Sequence, residues 1–192
     1  ATVHRGRVYV QGGHRGNHNY LRDCRSAPIH ADGNLGPWET ASWLADHRSS
    51  HGFVAYRNHL YAIAGCMYPQ TIDKVHFTSV AVDGAVGDWQ ETTPCFDGGG
   101  GRETANECLS VNGRLFVLGG HYQSEVWHGR PAADGTIPIW RQGRPLRIGR
   151  RYHSTAVYNG TVYVVGGDDG SNALASVDYA RLEPLWLSHI EP

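Results

Sequence analysis

"NGTVYVVGGDDG", residues 159–170, reads as a polar turn, an alternating hydrophobic strand and a small-residue pair. Nearly the same words occur three more times: "RGRVYVQGGHRG" at 5–16, "RNHLYAIAGCMY" at 57–68 and "NGRLFVLGGHYQ" at 112–123. Aligning the pairs Gly12-Gly13, Ala64-Gly65, Gly119-Gly120 and Gly166-Gly167 gives offsets of 52, 55 and 47 residues. Self-similarity at such a period is the mark of a repeat architecture.

Two further landmarks keep the same beat. "ADGNLGPW" ends at Trp38, "VDGAVGDW" at Trp89 and "ADGTIPIW" at Trp140, with a degenerate "ARLEPLW" ending at Trp186. Asp-Gly between extended segments is a strong hairpin signal, and a Trp at the start of the next strand offers a large ring to a neighbouring sheet. Upstream of the glycine pairs lie "RSSHGFVAY" at 48–56, "RETANECLSV" at 102–111 and "RYHSTAVY" at 151–158. Each period thus predicts four short antiparallel strands, a to d. Strand b is placed at 7–11, 59–63, 114–118 and 161–165. One such sheet cannot bury both faces, and radial stacking solves that problem. The expectation is all-β, a β-propeller of four-stranded antiparallel blades. It forms a single domain over 1–192, with repeats at about 1–47, 48–101, 102–149 and 150–192.

The combination of glycine pair, preceding aromatic and later Trp resembles the kelch repeat. The "DG-x-x-x-W" variant is similar to bacterial kelch or galactose-oxidase-like propeller repeats. Two departures are Ala64 in the first-glycine place and the missing Asp-Gly of the fourth unit. The resemblance implies rings of five to seven blades. Together with the short first strand and the end six residues past Trp186, it gives the expectation of a larger or intersubunit ring, through additional blades or self-association, with a self-closed four-blade ring as the alternative.

Bulk composition excludes little. Hydrophobic content of 40%, charged content of 18% and net charge −1 fit an ordinary globular chain with no general pull on nucleic acid. No apolar run is long enough for a membrane span. The compartment stays open, with a secreted or periplasmic setting slightly favoured. Cys24, Cys66, Cys95 and Cys108 contain no C-x-x-C pair, leaving either two disulfides or four buried thiols.

In a meander, the b–c and d–a connections share one face of the ring and the hairpin turns share the other. The first face collects His14, Tyr68, His121, Tyr122 and Asp168 after the small-residue pairs. The starts of strand a add Arg48, His51, Arg102, Asn106, Arg151 and His153. Arg48, Arg102 and Arg151 are read as corresponding positions. Forked guanidiniums beside imidazoles and amides suit anionic groups. "RQGRPLRIGRR" at 141–151 is read as a basic loop on the same face. His14, Cys66, His121 and Asp168 follow the pairs and can each ligate a metal, but no metal or other cofactor is expected. "DGGGGRE" at 97–103 lacks the context of a phosphate loop. Motifs for hydrolase or nucleotide chemistry are missing. The functional expectation is a non-catalytic binding or scaffold module for an acidic peptide, protein or glycan. A non-catalytic role is favoured, with enzyme activity left open. The alternative implied by the resemblance is a sugar- or sugar-acid-converting isomerase or oxidase using the same mouth.

Overall fold

A computed structural model describes residues 1–96 and 105–182 of the chain. Arg102, the glycine-rich stretch at 97–103 and the Trp186 landmark lie outside these described residues. Every regular element among them is a strand. Blade 1 holds β1 (Thr2–His4), β2 (Arg7–His14), β3 (Tyr20–Pro28) and β4 (Glu39–Trp43). Blade 2 holds β5 (Gly52–Tyr56), β6 (His59–Ile63), a small hairpin of β7 (Cys66–Met67) and β8 (Gln70–Thr71), then β9 (Val75–Ser79) and β10 (Gln90–Thr92). Blade 3 holds β11 (Glu107–Val111), β12 (Arg114–Leu118), β13 (Val126–Gly129) and β14 (Trp140–Gln142). Blade 4 shows β15 (Ser154–Tyr158), β16 (Thr161–Val165) and β17 (Val177–Arg181). Each blade is an antiparallel meander in chain order.

Three strand-b spans match the expectation residue for residue; the first runs on through His14, across a bulge between Gln11 and Gly13. Side-chain alternation explains the stacking. Leu60 and Ala62 of β6 pack with Tyr9, Cys24 and Leu44 of blade 1, while Tyr61 and Ile63 pack with Leu115, Val117 and Trp140 of blade 3. A third layer joins Leu109, Leu118 and Val126 of blade 3 to Val162 and Val164 of blade 4. The core is therefore a series of layers between blades. Burying each such aliphatic side chain contributes roughly 1.5–3 kcal/mol.

Directional bonds fasten the layers. Tyr9 donates its hydroxyl to the Gly84 carbonyl of blade 2 at 3.1 Å, and Tyr61 donates to Gly135 of blade 3 at 2.9 Å. The acceptors are the glycines of the Asp-Gly turns, whose φ angles are +90° and +94°. Only the glycine takes positive φ; Asp83 and Asp134 stay in ordinary conformations and accept from the backbone two residues on. Indole N–H groups point the opposite way, each to the preceding blade. Trp89 reaches Ser42 of blade 1 at 2.9 Å and Trp140 reaches the Thr93 carbonyl at 3.0 Å. Packing of inner strands follows the order β1, β5, β11, β15.

Candidate functional site

The glycine pairs build the loop face by letting backbones touch. A Cβ on Gly12 would stand 2.6 Å from the Arg48 carbonyl oxygen, and one on Gly119 would stand 2.8 Å from that of Arg150. A Cβ on Gly65 or Gly167 would meet Ser49 or Arg151 carbonyls at 2.7 and 2.6 Å. All four glycines also hold positive φ, so a side chain is excluded twice over. Across these seams the b–c loops bond to the d–a segments: Gly13 to Arg48, Gly120 to Arg150, Cys66 to Ser49 and Asp168 to Arg151.

That bonding resets one correspondence. Arg48 and Arg150 hold equivalent places, each three residues before His51 or His153, while Arg151 corresponds to Ser49. Reading Arg151 as the partner of Arg48 is therefore corrected by one position. Arg48 is fully buried. It donates to the carbonyls of Ala64 and Lys74, to Asp46 and to His76 Nδ1 at 3.0–3.3 Å. Burial pulls its pKa down to about 10 against the support of Asp46. Arg150, equally buried, donates to Gly166 and Ile148 carbonyls, Ser176 and Asp178. These guanidiniums lock blades rather than face solvent.

The inner histidines are enclosed too. His51 lies over Gly12 with both ring nitrogens sealed from solvent, and burial, then Arg48, then the chain's amino terminus, drives its pKa down to about 3. His153 lies over Gly119; burial, then Arg150, holds it at about 4, with the Leu118 backbone opposing. Asn106 is buried beside Cys108. Arg48, His51, Asn106 and His153 thus lie beneath the face, as its support.

The outward group divides into two ledges. Between blades 3 and 4, the Arg151 guanidinium lies 4.3 Å from the centre of the Tyr122 ring and 4.8 Å from that of Tyr152, with Asp168 at 3.4 Å. His121 stands beside Tyr122, their ring centres 5.3 Å apart. Between blades 1 and 2, Tyr68 stacks on His18 at 5.2 Å, and Tyr20 lies within reach of both His14 and His18. Tyr68 and Tyr152 are 67% and 66% exposed, a large open area for rings anchored on one side only. Tyr20 and Tyr152 were not among the residues picked from sequence. Tyr152 takes φ +53°, as do Ser50 and Ala105 at +52° and +56°, each just before His153, His51 and Asn106. That shared position was visible in the repeat alignment, although its outward turn was not.

The 141–151 run does not form one basic loop: Arg150 is buried and Arg141 belongs to β14, leaving Arg144, Arg147 and Arg151 at or near the surface. The four residues after the small pairs stay apart in chemistry, with Cys66 Sγ near Ser49 Oγ at 3.7 Å and Asp168 engaged by Arg151. Among the described residues no three His, Cys, Asp or Glu groups converge as metal ligands. None of the four cysteines is in a disulfide. Burial raises the Cys24 thiol to about 12 and keeps that of Cys108 well above its ordinary value. No helix among the described residues is long and apolar enough to cross a membrane.

With this geometry in hand, the relatives fall into place. Residues 149–179 match the Kelch motif family. Kelch-like protein 6 of Homo sapiens is 32% identical over 81 residues, covering 41% of this chain and 12% of that protein. Kelch-like protein 24 of Rattus norvegicus is 42% identical over 65 residues, covering 33% of this chain and 10% of its own length. The solved structure titled "Structure of YjhT" superposes with a TM-score of 0.74 at 15% identity, over 95% of this chain and 65% of that one. The chain thus spans a small share of the curated relatives and about two thirds of this structural neighbour. Blade meanders, glycine seams, turn-to-blade bonds and these matches converge on one fold: stacked antiparallel blades of the β-propeller kind, with a Kelch motif matched at residues 149–179.

Proposed function

We propose that this chain is a non-catalytic recognition module, binding an acidic peptide or acidic glycan on the loop face. The observation that carries the reading is the pair of exposed ledges, above all Arg151 between Tyr122 and Tyr152. Stacked on rings, the guanidinium is held in place while part of its fork remains open to an acceptor. Asp168 holds it from one side, and an incoming carboxylate would compete with or bridge across that contact. The flat faces of Tyr68 and Tyr152 suit sugar rings or peptide side chains that bury area at small entropic cost. Kelch-like relatives match parts of the same repeat framework, which supports a binding role for the scaffold. Enclosure of His51 and His153 argues against their acting as proton donors or acceptors to a substrate.

Titration calorimetry with a poly-glutamate peptide and with an oligogalacturonate checks the proposal. Arg151→Gln and Tyr152→Ala should each weaken one of these ligands about ten-fold, a loss of roughly 1.4 kcal/mol, at unchanged melting temperature. Binding of neither probe, or binding indifferent to both substitutions, defeats it.

A further inference from the structure

A second cluster lies at the opposite end of blade 3, toward its hairpin turns. A cavity of about 400 Å³ is walled by Arg114, Arg130, Arg141 and His128, with Pro131, Pro138 and Ile139 among its apolar walls. No carboxylate lines it, and none of the three arginines forms an ion pair among the described residues. Arg114 Nε is enclosed without a partner. Its Nη1 stands 3.2 Å from His128 Nδ1. Arginine can only donate, so Nδ1 accepts and the neutral ring carries its proton on Nε2. Burial, then Arg114 and Arg141, keep His128 below its ordinary pKa, which agrees with a neutral ring. Every side-chain group left over in this cavity is a donor.

Other blades show what normally stands here. In blade 1, Arg7 is likewise the first residue of strand b. It donates to Ser26 at 3.0 Å and pairs with Glu39 at 3.5 Å. The registers Ser26 opposite Glu39 and His128 opposite Arg141 make Arg141 the counterpart of Glu39. An acid in one blade is thus an arginine in the other. Neighbouring turns supply a second acid. Gly84, next to Asp83, packs on Arg7, and Gly135, next to Asp134, packs on His59, the first residue of β6. The fourth unit has no Asp-Gly, and the aromatic of blade 3 is Phe116, which lacks the hydroxyl that Tyr9 and Tyr61 give to those turns. The cross-strand acid of blade 1 is thus replaced in blade 3 by a further arginine.

We infer that this cavity binds a tetrahedral oxyanion, the phosphate or sulfate group of an esterified ligand. A carboxylate is matched by one guanidinium fork, whereas three forks and an imidazole N–H suit the higher charge and three free oxygens of a phosphate or sulfate ester. The volume exceeds that of the anion alone, leaving the proline and isoleucine walls for the organic remainder.

The test uses the full chain with inorganic phosphate and sulfate, titrated against sodium chloride at matched ionic strength. Saturable binding by calorimetry, with a rise in melting temperature absent in chloride, is expected. Equal responses to both anions assign the site to tetrahedral geometry, and a response to phosphate alone assigns it to the phosphate ester. Arg141→Glu rebuilds the blade 1 arrangement and should weaken binding at least about ten-fold without lowering the melting temperature. Should that variant unfold, Arg130→Gln, at an exposed position, decides by a several-fold loss of its own. No saturable response in the wild type overturns the inference, as does a response unchanged in both variants.

Discussion

At the scale of single residues, the arginines show how one side chain type divides between support and contact. Arg48 and Arg150 sit fully buried, each bonded to backbone carbonyls and an acid. Removing one partner from such a network leaves the other uncompensated, a cost of about 3–5 kcal/mol. Arg150→Ala should therefore lower unfolding free energy by that order in urea titration, by stranding Asp178, whereas Arg151→Ala at the surface should cost under about 1 kcal/mol. Equal losses for the two would show that their division is misdrawn. Sequence spacing held part of this answer: Arg48 and Arg150 both precede their histidine by three residues, and Arg151 precedes His153 by two. Two adjacent arginines hid the register, because what fixes it is a positive φ at Tyr152. The Arg114, His128, Arg130 and Arg141 cluster escaped for a different reason. Its members are scattered along 28 positions and meet only through the pairing of β12, β13 and β14.

Strands were far more legible, since alternation, glycine pairs and turn chemistry all report on the same backbone geometry. Less legible was what the inner strands carry between them. His76 and His153 are buried and His51 is half-buried with both ring nitrogens enclosed; burial first, then the adjacent arginines, hold His51, His76 and His153 at about 3, 4 and 4. Unfolded histidine titrates near 6.5, so the unfolded chain takes up protons that the folded chain refuses. Their stabilising contribution is complete above about pH 6.5 and declines as pH falls toward about 4. Melting temperature should stay level from pH 8 to about 6.5 and then drop steadily toward pH 4.5. His153→Gln, which cannot take up a proton, should flatten part of that drop. A melting temperature indifferent to pH between 7 and 4.5 would contradict this account.

Across the whole molecule, the layers between blades are well filled, but among the described residues β15 shows no packing on β1 like that between neighbouring inner strands. The far side of blade 4 shows Val165, Val177 and Tyr179 to solvent, with Tyr179 75% exposed. The far side of blade 1 shows Val10 and Trp38, although Trp89 and Trp140 in the same place each bond to a preceding blade. Period-two alternation built both surfaces to lie against a sheet: β16 buries Val162 and Val164 inward and presents Thr161, Tyr163 and Val165 outward. Contiguous apolar area of this kind favours association, and the two faces are complementary in the sense in which blade 3 fits blade 2. We therefore expect the 192-residue chain to self-associate head to tail as its concentration rises, which light scattering across a dilution series would show as a mass climbing above 21.1 kDa. Val177→Lys with Tyr179→Lys on one face, or Trp38→Lys on the other, should each return it to the monomer, because a head-to-tail contact needs both faces. If the mass stays monomeric at every concentration, or if lysines on only one of the faces have any effect, this mode of association is excluded.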